Sequence, residues 1–487
     1  MKHIYIKNKI LTGCLLLLIL VISSCKKFIE VSSPVTSENS GNVYTSDNTA
    51  ISVLTAIYIQ MSADGQGGIT SLSLFPELSA DHLVLNVSLN DSALPYCYRN
   101  NLSSTIRFAN LNYWNSFYQF IYQTNAAIEG LSSSTTLTPS VKNQLLGEAK
   151  FMRAFFYYYL VNLYGDVPLV LSTDYKANST LSRTVKSLVY EQVVKDLKDA
   201  QGLLSADYKD VTLRNATSER IRPNKAAATA LLARVYMFTK DYANAEIQST
   251  SLIDNNPNYS LVGLNEVFLK NSKETIWSLQ PVLGDGFANT WEAQLFLLPA
   301  TGPNDLFPVS LSSQLITSFD NNDQRLITWT GNVLVERKKY YYASKYKVGS
   351  ATTILSEYSM VLRLAEQYLI RAEARAELGK LVGANSASSD INAIRNRAGL
   401  LPTTATTKQD LLDAILNERQ KELFTEWGHR WFDLKRTGKI DEVMNLVCPT
   451  KGPGVIWQPY KALYPIPQSE INLNPGMTGQ QNPGYGN

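Results

Sequence analysis

The stretch RPNKAAATALLARVYMFTKDYANAEIQSTSLID, Arg222–Asp254, decides the fold. Pro223 stands where a helix can begin, because its fixed φ suits the first turn and its missing N–H is not needed there. The run after it supplies two helices joined near Lys240, Asp241 and Tyr242. Ala230, Ala233 and Ala245 fall where those helices must approach, so the pair reads as a closely packed helical hairpin.

The same texture extends in both directions. Downstream, Leu362, Ala365, Leu369, Ala372 and Ala376 recur at alternating steps of three and four. Upstream, NQLLGEAKFMRAFFYYYLVNLYGDVPLV places Leu145, Ala149, Met152, Phe156, Tyr159 and Leu163 on one face and stops at Gly165 and Pro168. Before it, Trp114, Phe117 or Tyr118, Ile121, Asn125 and Ile128 share a face, as do Ile51, Leu54, Ile57 or Tyr58, and Met61. These pairs resemble degenerate tetratricopeptide repeats, with a large, small, large pattern on the first helix and an internal alanine on the second. Long insertions break the period. The expected fold class is therefore mostly α, a tetratricopeptide-like helical hairpin scaffold forming an α-α superhelix with long irregular loop insertions. From about Leu261 to Ser356 the texture changes to Gly, Pro, Asn, Asp and aromatic residues, and loops on a rigid frame are where binding sites tend to lie.

The amino terminus fixes the compartment. Lys2, Lys7 and Lys9 precede the apolar run Leu15–Ile22, which ends in Ser23, Ser24 and Cys25. That is the layout of a secretory signal peptide, and the run is far shorter than the ~20 residues that span a bilayer. Ile22-Ser23-Ser24-Cys25 resembles a bacterial lipobox, in which Cys25 carries lipid and begins the mature chain. The alternative is an ordinary signal peptide with a chance cysteine. Loss of residues 1–24 brings the formal charge from +3 to zero, so nothing global calls for nucleic acid. Cys97 and Cys448 remain, and spacing alone leaves open whether they pair. Only His82 and His429 remain after His3 is lost, which excludes a multi-histidine metal site. The expected organisation is a lipoprotein signal peptide 1–24, a lipidated tether 25–46, a helical region 47–260, a loop-rich insertion 261–355 as candidate ligand site, and a helical region with an extended tail 356–487.

Three constellations invite a chemical reading. Glu418, Glu422 and Glu426 fall on one helical face beside Arg419, Lys421, Arg430 and Asp433. Paired carboxylates could act as the acid and base of a glycoside hydrolase, but acids spaced along a helix among cations form a salt-bridge lattice more often. Asp320, Asn321, Asn322 and Asp323 offer oxygen ligands, yet the EF-hand spacing and its distal Glu are missing, which favours an Asx-capped turn over calcium. No Gly-rich phosphate loop follows a strand, and no Ser or Cys nucleophile has a His partner. No catalytic residue, metal or cofactor is expected. Sugar binding asks for flat rings that stack on C–H faces and for amide or guanidinium groups that take up hydroxyls. Aromatics in polar, irregular context meet that need: Tyr96, Tyr98, Arg99 and Asn100 in LPYCYRNN, Phe287, Asn289 and Trp291 in GDGFANTWE, and less strongly Trp329. The competing reading for each is a ring that pins its loop to the scaffold. Tyr157, Tyr158, Trp114 and Trp427 are explained as core by their helical spacing.

The blocks EAKFMRAFFYYYLVNLYGDVPLV, KAAATALLARVYMFTKDYANAE, LRLAEQYLIRAEARAELG with INAIRNRAGL, ILNERQKELFTEWGHRWFDLKRTG and ALYPIPQSEINLNPGMTGQQNPGY resemble, in order and spacing, the hallmark segments of the SusD/RagB family. The segment Ser24–Tyr58 also looks like that family's mature amino terminus. The resemblance implies an outer-membrane lipoprotein, surface-exposed and held by its lipid, that caps a SusC-like TonB-dependent β-barrel transporter, binds an oligosaccharide or sometimes a peptide, and performs no chemistry. It also implies that the glutamate block belongs to the scaffold. Its hallmark blocks do not include ligand-contacting residues, so the candidate site rests on the residues alone. A pure protein-binding scaffold built on the repeats is the rival from another class.

Overall fold

The computed structural model describes residues 43–63, 68–89, 92–106, 111–254, 256–282, 289–349 and 354–486. Tyr44–Asn487 is one unit. Its scaffold helices are α1 (Asp47–Ala63), α2 (Tyr113–Ser133), α3 (Pro139–Tyr164), α4 (Lys186–Leu203), α5 (Lys225–Phe238), α6 (Tyr242–Ile253), α7 (Leu364–Glu377), α8 (Ala387–Arg397), α9 (Lys408–Glu422) and α10 (His429–Arg436). From α2 to α8 each helix packs on the next, and α9 closes against α7, which is the expected hairpin superhelix. Among the described residues no helix is long and apolar enough to cross a membrane.

Local chemistry sets the helix ends. The Asn224 side chain accepts from the Ala227 N–H at the start of α5, and Asp241 accepts from the Asn244 N–H at the start of α6. Gly165, at φ +76°, ends α3 in a conformation that a side chain would resist. Ala230, Ala233 and Ala245 are fully buried, so the small residues lie where helices touch. Ile51, Leu54, Ile57 and Met61 form the buried face of α1. α3 differs from its reading as a one-faced helix, because its C-terminal half is buried all round, from Phe151 to Tyr164. A helix apolar on every side belongs in the centre of a core. Trp277 and Trp427 close its remaining faces, with ring centroids 5.5 and 5.9 Å from Phe155. At its polar edge Arg153 donates to Asp196 of α4 at 2.8 and 2.7 Å and to Asn125 of α2 at 2.9 Å, tying three helices together.

The segment read as irregular holds more order than its composition suggests. β1 (Leu83–Leu85) pairs with β3 (Val309–Leu311), β2 (Thr275–Leu279) with β6 (Ser359–Arg363), and β4 (Thr330–Val335) with β5 (Lys338–Ala343), all antiparallel. Short helices at Trp291–Phe296, Ser313–Ser318 and Gln324–Thr328 fill the rest. Sheets this small gain their stability from the scaffold beneath them, because isolated two-stranded ribbons are marginal in water.

The tail is stitched to distant parts of the chain. The Lys451 ammonium donates to the carbonyls of Leu78, Ser79 and Ala80 at 2.7, 2.9 and 2.6 Å. Asn482 donates to Tyr164 and Tyr464 carbonyls at 2.9 and 2.8 Å, and Arg183 donates to Gln480 and Asn482 at 2.8 and 2.6 Å.

Candidate ligand-binding site

The glutamate constellation forms a buried ion lattice. Glu422, with no exposed surface, accepts from Arg325 at 3.0 Å, from Arg363 at 2.6 Å, and from Arg397. Arg363 also reaches Glu274 at 2.8 Å and Glu426 at 2.8 Å, while Arg325 pairs with Asp323 and Glu418 at 2.7 and 2.6 Å. Lys345 completes the lattice at Glu426. Although burial alone would raise both carboxyls, the guanidiniums of Arg397, Arg363 and Arg325 hold Glu422 well below the usual range, and Arg363 with Lys345 lowers Glu426. The carboxylates are thus saturated with cations, as the lattice reading expects. Their main partners stand outside α9, so the neighbours on the glutamates' own segment are only part of the story. In DNNDQR, Asp323 accepts from the Arg325 N–H at 3.0 Å and caps the helix Gln324–Thr328, which is the Asx-capped turn.

The structure separates the predicted ligand residues into two places and removes three of them. Asn289 is fully buried. Its amide donates to the Ile354 carbonyl at 3.1 Å and accepts from the Ser356 and Glu357 N–H groups at 2.5 and 2.8 Å. That is a chain clamp, which corrects its reading as a ligand contact. Trp329 is also fully buried. Its N–H goes to the Leu264 carbonyl at 2.9 Å, and its ring lies against Phe268 under the lattice cations Lys345, Arg363 and Arg397. Asn100, at φ +49°, is buried and donates to the Ser79 carbonyl at 3.0 Å. These side chains hold loops and are not available to a ligand.

Arg99 is exposed, and Tyr96 and Tyr98 are half-buried on the short helix Leu94–Tyr98. This segment meets the turn Cys448–Lys451, where the Lys451 ammonium lies 5.3 Å from the Tyr98 ring centroid. Cys97 and Cys448 are both free and buried. Phe287 lies outside the described residues. Trp291 opens the helix Trp291–Phe296, which the Thr290 hydroxyl caps by accepting from the Ala293 N–H. Its ring is half-buried against the core, and its indole N–H is buried with no hydrogen-bond partner among the described residues. Beside it Glu292 accepts from the Ser359 hydroxyl at 2.7 Å, and burial pushes its carboxyl up to about 7. Trp114, Trp427, Tyr157 and Tyr158 are core, as their spacing says.

Sequence reading passed over the β4–β5 hairpin. Tyr340, Tyr341 and Tyr342 are half-buried on β5, with the ammoniums of Lys338 and Lys339 at 4.6 and 4.8 Å from the Tyr340 and Tyr341 ring centroids. The available sign was the run KKYYY itself, whose three consecutive aromatic residues favour a strand.

A superhelical scaffold that carries strands, short helices and half-exposed rings on its insertions defines a helical-repeat binding protein. The chain belongs to the SusD/RagB family: residues 320–485 match the family described as "SusD family", and residues 27–237 match the one described as "Starch-binding associating with outer membrane". A SusD-like protein of Formosa agariphila is 26% identical over 93% of this chain and 94% of its own length. The starch-binding protein SusD of Bacteroides thetaiotaomicron is 38% identical over 26% of this chain and 21% of its own length. A solved SusD superfamily protein from Bacteroides vulgatus shares the fold at a TM-score of 0.75, with 21% identity over 90% of this chain and 99% of that one. A structure described as a laminarin-binding SusD-like protein shares it at 0.72, with 23% identity over 91% of this chain and 100% of that one.

Proposed function

We propose that the protein is a non-catalytic glycan-binding lipoprotein of the outer membrane, which captures an oligosaccharide and delivers it to a TonB-dependent barrel transporter. The observation that carries the binding reading is Trp291, a half-exposed aromatic ring on the loop-bearing insertion. Such a ring can stack its open face on the C–H face of a sugar. Family membership supplies the ligand class, and the laminarin-binding relative makes laminarin oligosaccharides the first ligands to try. The lattice supports the absence of hydrolysis, because a glycosidase acid must hold its proton and these carboxyls are kept ionised.

Calorimetric titration with laminarin and starch oligosaccharides is expected to show saturable binding between about millimolar and micromolar. Trp291→Ala should weaken it at least about tenfold, near 1.4 kcal/mol. Trp291→Phe, which keeps the apolar body and loses only the N–H, should weaken it less. Unchanged affinity in both variants, with the melting temperature preserved, would show that Trp291 is a packing residue and move the site to Tyr96, Tyr98 and Arg99 or to the β5 tyrosines. Binding of capped peptides at this site in place of sugars would establish the alternative, a peptide-capturing lid of the same kind of transporter.

The anchor reading rests on Ile22-Ser23-Ser24-Cys25, which lies outside the described residues. Two or more acyl chains hold a protein on a bilayer almost permanently, whereas one holds it marginally. Alkynyl fatty acid fed to the cells is expected to label the wild type and not Cys25→Ala, and the labelled protein should bring down a large β-barrel from detergent extracts. Equal labelling of both forms would sink the anchor, and recovery of the lipoprotein alone would count against the partner.

A further inference from the structure

The β4–β5 hairpin carries a row of side chains that the scaffold does not use. Side chains alternate along a strand, so Tyr342, Tyr340 and Lys338 stand on one face of β5 and Tyr341 and Lys339 on the other. Tyr341 packs on the hydrophobic core, whereas Tyr340 and Tyr342 do not. Gly331 faces Tyr342 across the ribbon, and a Cβ there would lie 2.3 Å from the ring, so the missing side chain lets Tyr342 lie over the partner strand. The face therefore presents ring, ring and ammonium in line, with successive members about 6.6 Å apart along the strand.

The positive end of that row has nothing to answer it. Exposed lysines elsewhere find carboxylates, as Lys380 does with Glu246 and Lys408 with Glu377. Arg337, Lys338 and Lys339 are exposed, and none forms an ion pair among the described residues. The Lys338 ammonium rests on the Tyr340 ring, 4.6 Å from its centroid, a weaker contact than the charge-assisted hydrogen bond that an anion would accept. Glu336 and Arg337 close the hairpin at φ +47° and +68°, a turn that asparagine and glycine make at least cost. Strain kept in an exposed tip points to a task for its side chains. Lysine on an edge strand also keeps sheets from joining, but that role calls for no ring beside it. A sugar ring stacks on tyrosine, and an acidic group on that sugar meets the cations. Phospholipid headgroups and acidic side chains bring the charge without a flat face for the tyrosines.

We propose that this face of the hairpin is a subsite for an acidic oligosaccharide, with Tyr342 and Tyr340 stacking on its sugar rings and Lys338 and Arg337 taking the carboxylate or sulfate they carry. The proposal rests on the oligosaccharide reading above and adds to it a charge that laminarin and starch lack.

The test is calorimetric titration of the full mature chain at low salt with tetragalacturonate, a carrageenan tetrasaccharide and neutral laminaritetraose. At least one acidic sugar is expected to bind at least about tenfold more tightly than laminaritetraose, and which one does so tells carboxylate from sulfate. That margin should vanish at about 1 M salt, where screening acts within about 3 Å. Arg337→Gln with Lys338→Gln, both exposed and so safe for the fold, should abolish the margin and leave laminaritetraose unchanged. Tyr342→Ala should weaken the acidic sugar at least about tenfold. The proposal is overturned if neither acidic sugar exceeds the neutral one, if the margin survives the double substitution, if tetraglutamate binds as tightly, or if these cations hold phosphatidylglycerol vesicles in place of sugar. Laminaritetraose binding that Trp291→Ala weakens, with no acidic margin, fells this subsite alone, whereas failure of every sugar to bind fells the oligosaccharide reading itself.

Discussion

Replacing Glu422 by alanine is expected to destabilise the protein by about 3–5 kcal/mol, the largest effect of any single substitution considered for it. The carboxylate bridges Arg325, Arg363 and Arg397, and all four side chains are buried. Its removal leaves three guanidiniums with less counter-charge where water cannot supply the difference. Arg363 retains Glu274 and Glu426, and Arg325 retains Asp323 and Glu418, which keeps the loss from being larger. The contrast is Lys408, whose pair with Glu377 lies at the surface, with its side chain 49% exposed. Lys408→Ala should cost under about 1 kcal/mol. Urea unfolding of the three proteins gives the comparison without added salt to screen it. Equal midpoints for wild type and Glu422→Ala would show that the lattice contributes no stability.

The second large effect concerns Glu292. Its carboxyl ionises near 4.5 in the unfolded chain and, pushed up by burial and then by the Glu426 charge, at about 7 in the folded one. Below 4.5 both states hold the proton and there is no penalty. As pH rises from 4.5 to about 7 the unfolded chain releases its proton first, so stability falls, and above that the loss is constant. At roughly 1.4 kcal/mol per unit the loss reaches about 3 kcal/mol. Other buried groups add their own pH dependence, among them His429, which burial and the nearby Arg234 charge hold well below the usual imidazole range, so the clean measurement is a difference. The stability of Glu292→Gln relative to wild type should grow by about 3 kcal/mol between pH 4.5 and pH 8, read from urea midpoints. A difference that does not change with pH would mean that the carboxyl finds a partner or water in the folded state.

Period and spacing revealed the scaffold because helices advertise themselves locally. Asn125 and Ala230 stand on their buried faces for reasons that neighbours three and four residues away already contain. What closes the other sides of α3 is not local, since Trp277 and Trp427 arrive from far along the chain. The same limit explains the ligand residues. Asn289, Asn100 and Trp329 sit in polar, turn-rich strings that read like exposed loops, while the groups that bury them, such as Leu264, Lys345, Ser356 and Ser79, are distant in sequence. Glu422 was legible as a scaffold acid from its helical spacing, but Arg325, Arg363 and Arg397 could not be named as its partners without the fold. Trp291 remains a candidate because its ring, at the start of a short helix, is only half-buried.

The stitching of the tail imposes an order of events on the newborn chain. The helix pairs from α2 to α6 make their first contacts with the next helix in sequence, so those contacts can form early. The carbonyls of Leu78, Ser79 and Ala80 must wait for Lys451, and Tyr164 must wait for Asn482. Contacts this distant close late, after the local ones have formed. Three carbonyls near the front of the fold are therefore closed by one ammonium 373 residues further along the chain than Leu78, so this part of the front is finished by a late segment rather than by its own neighbours.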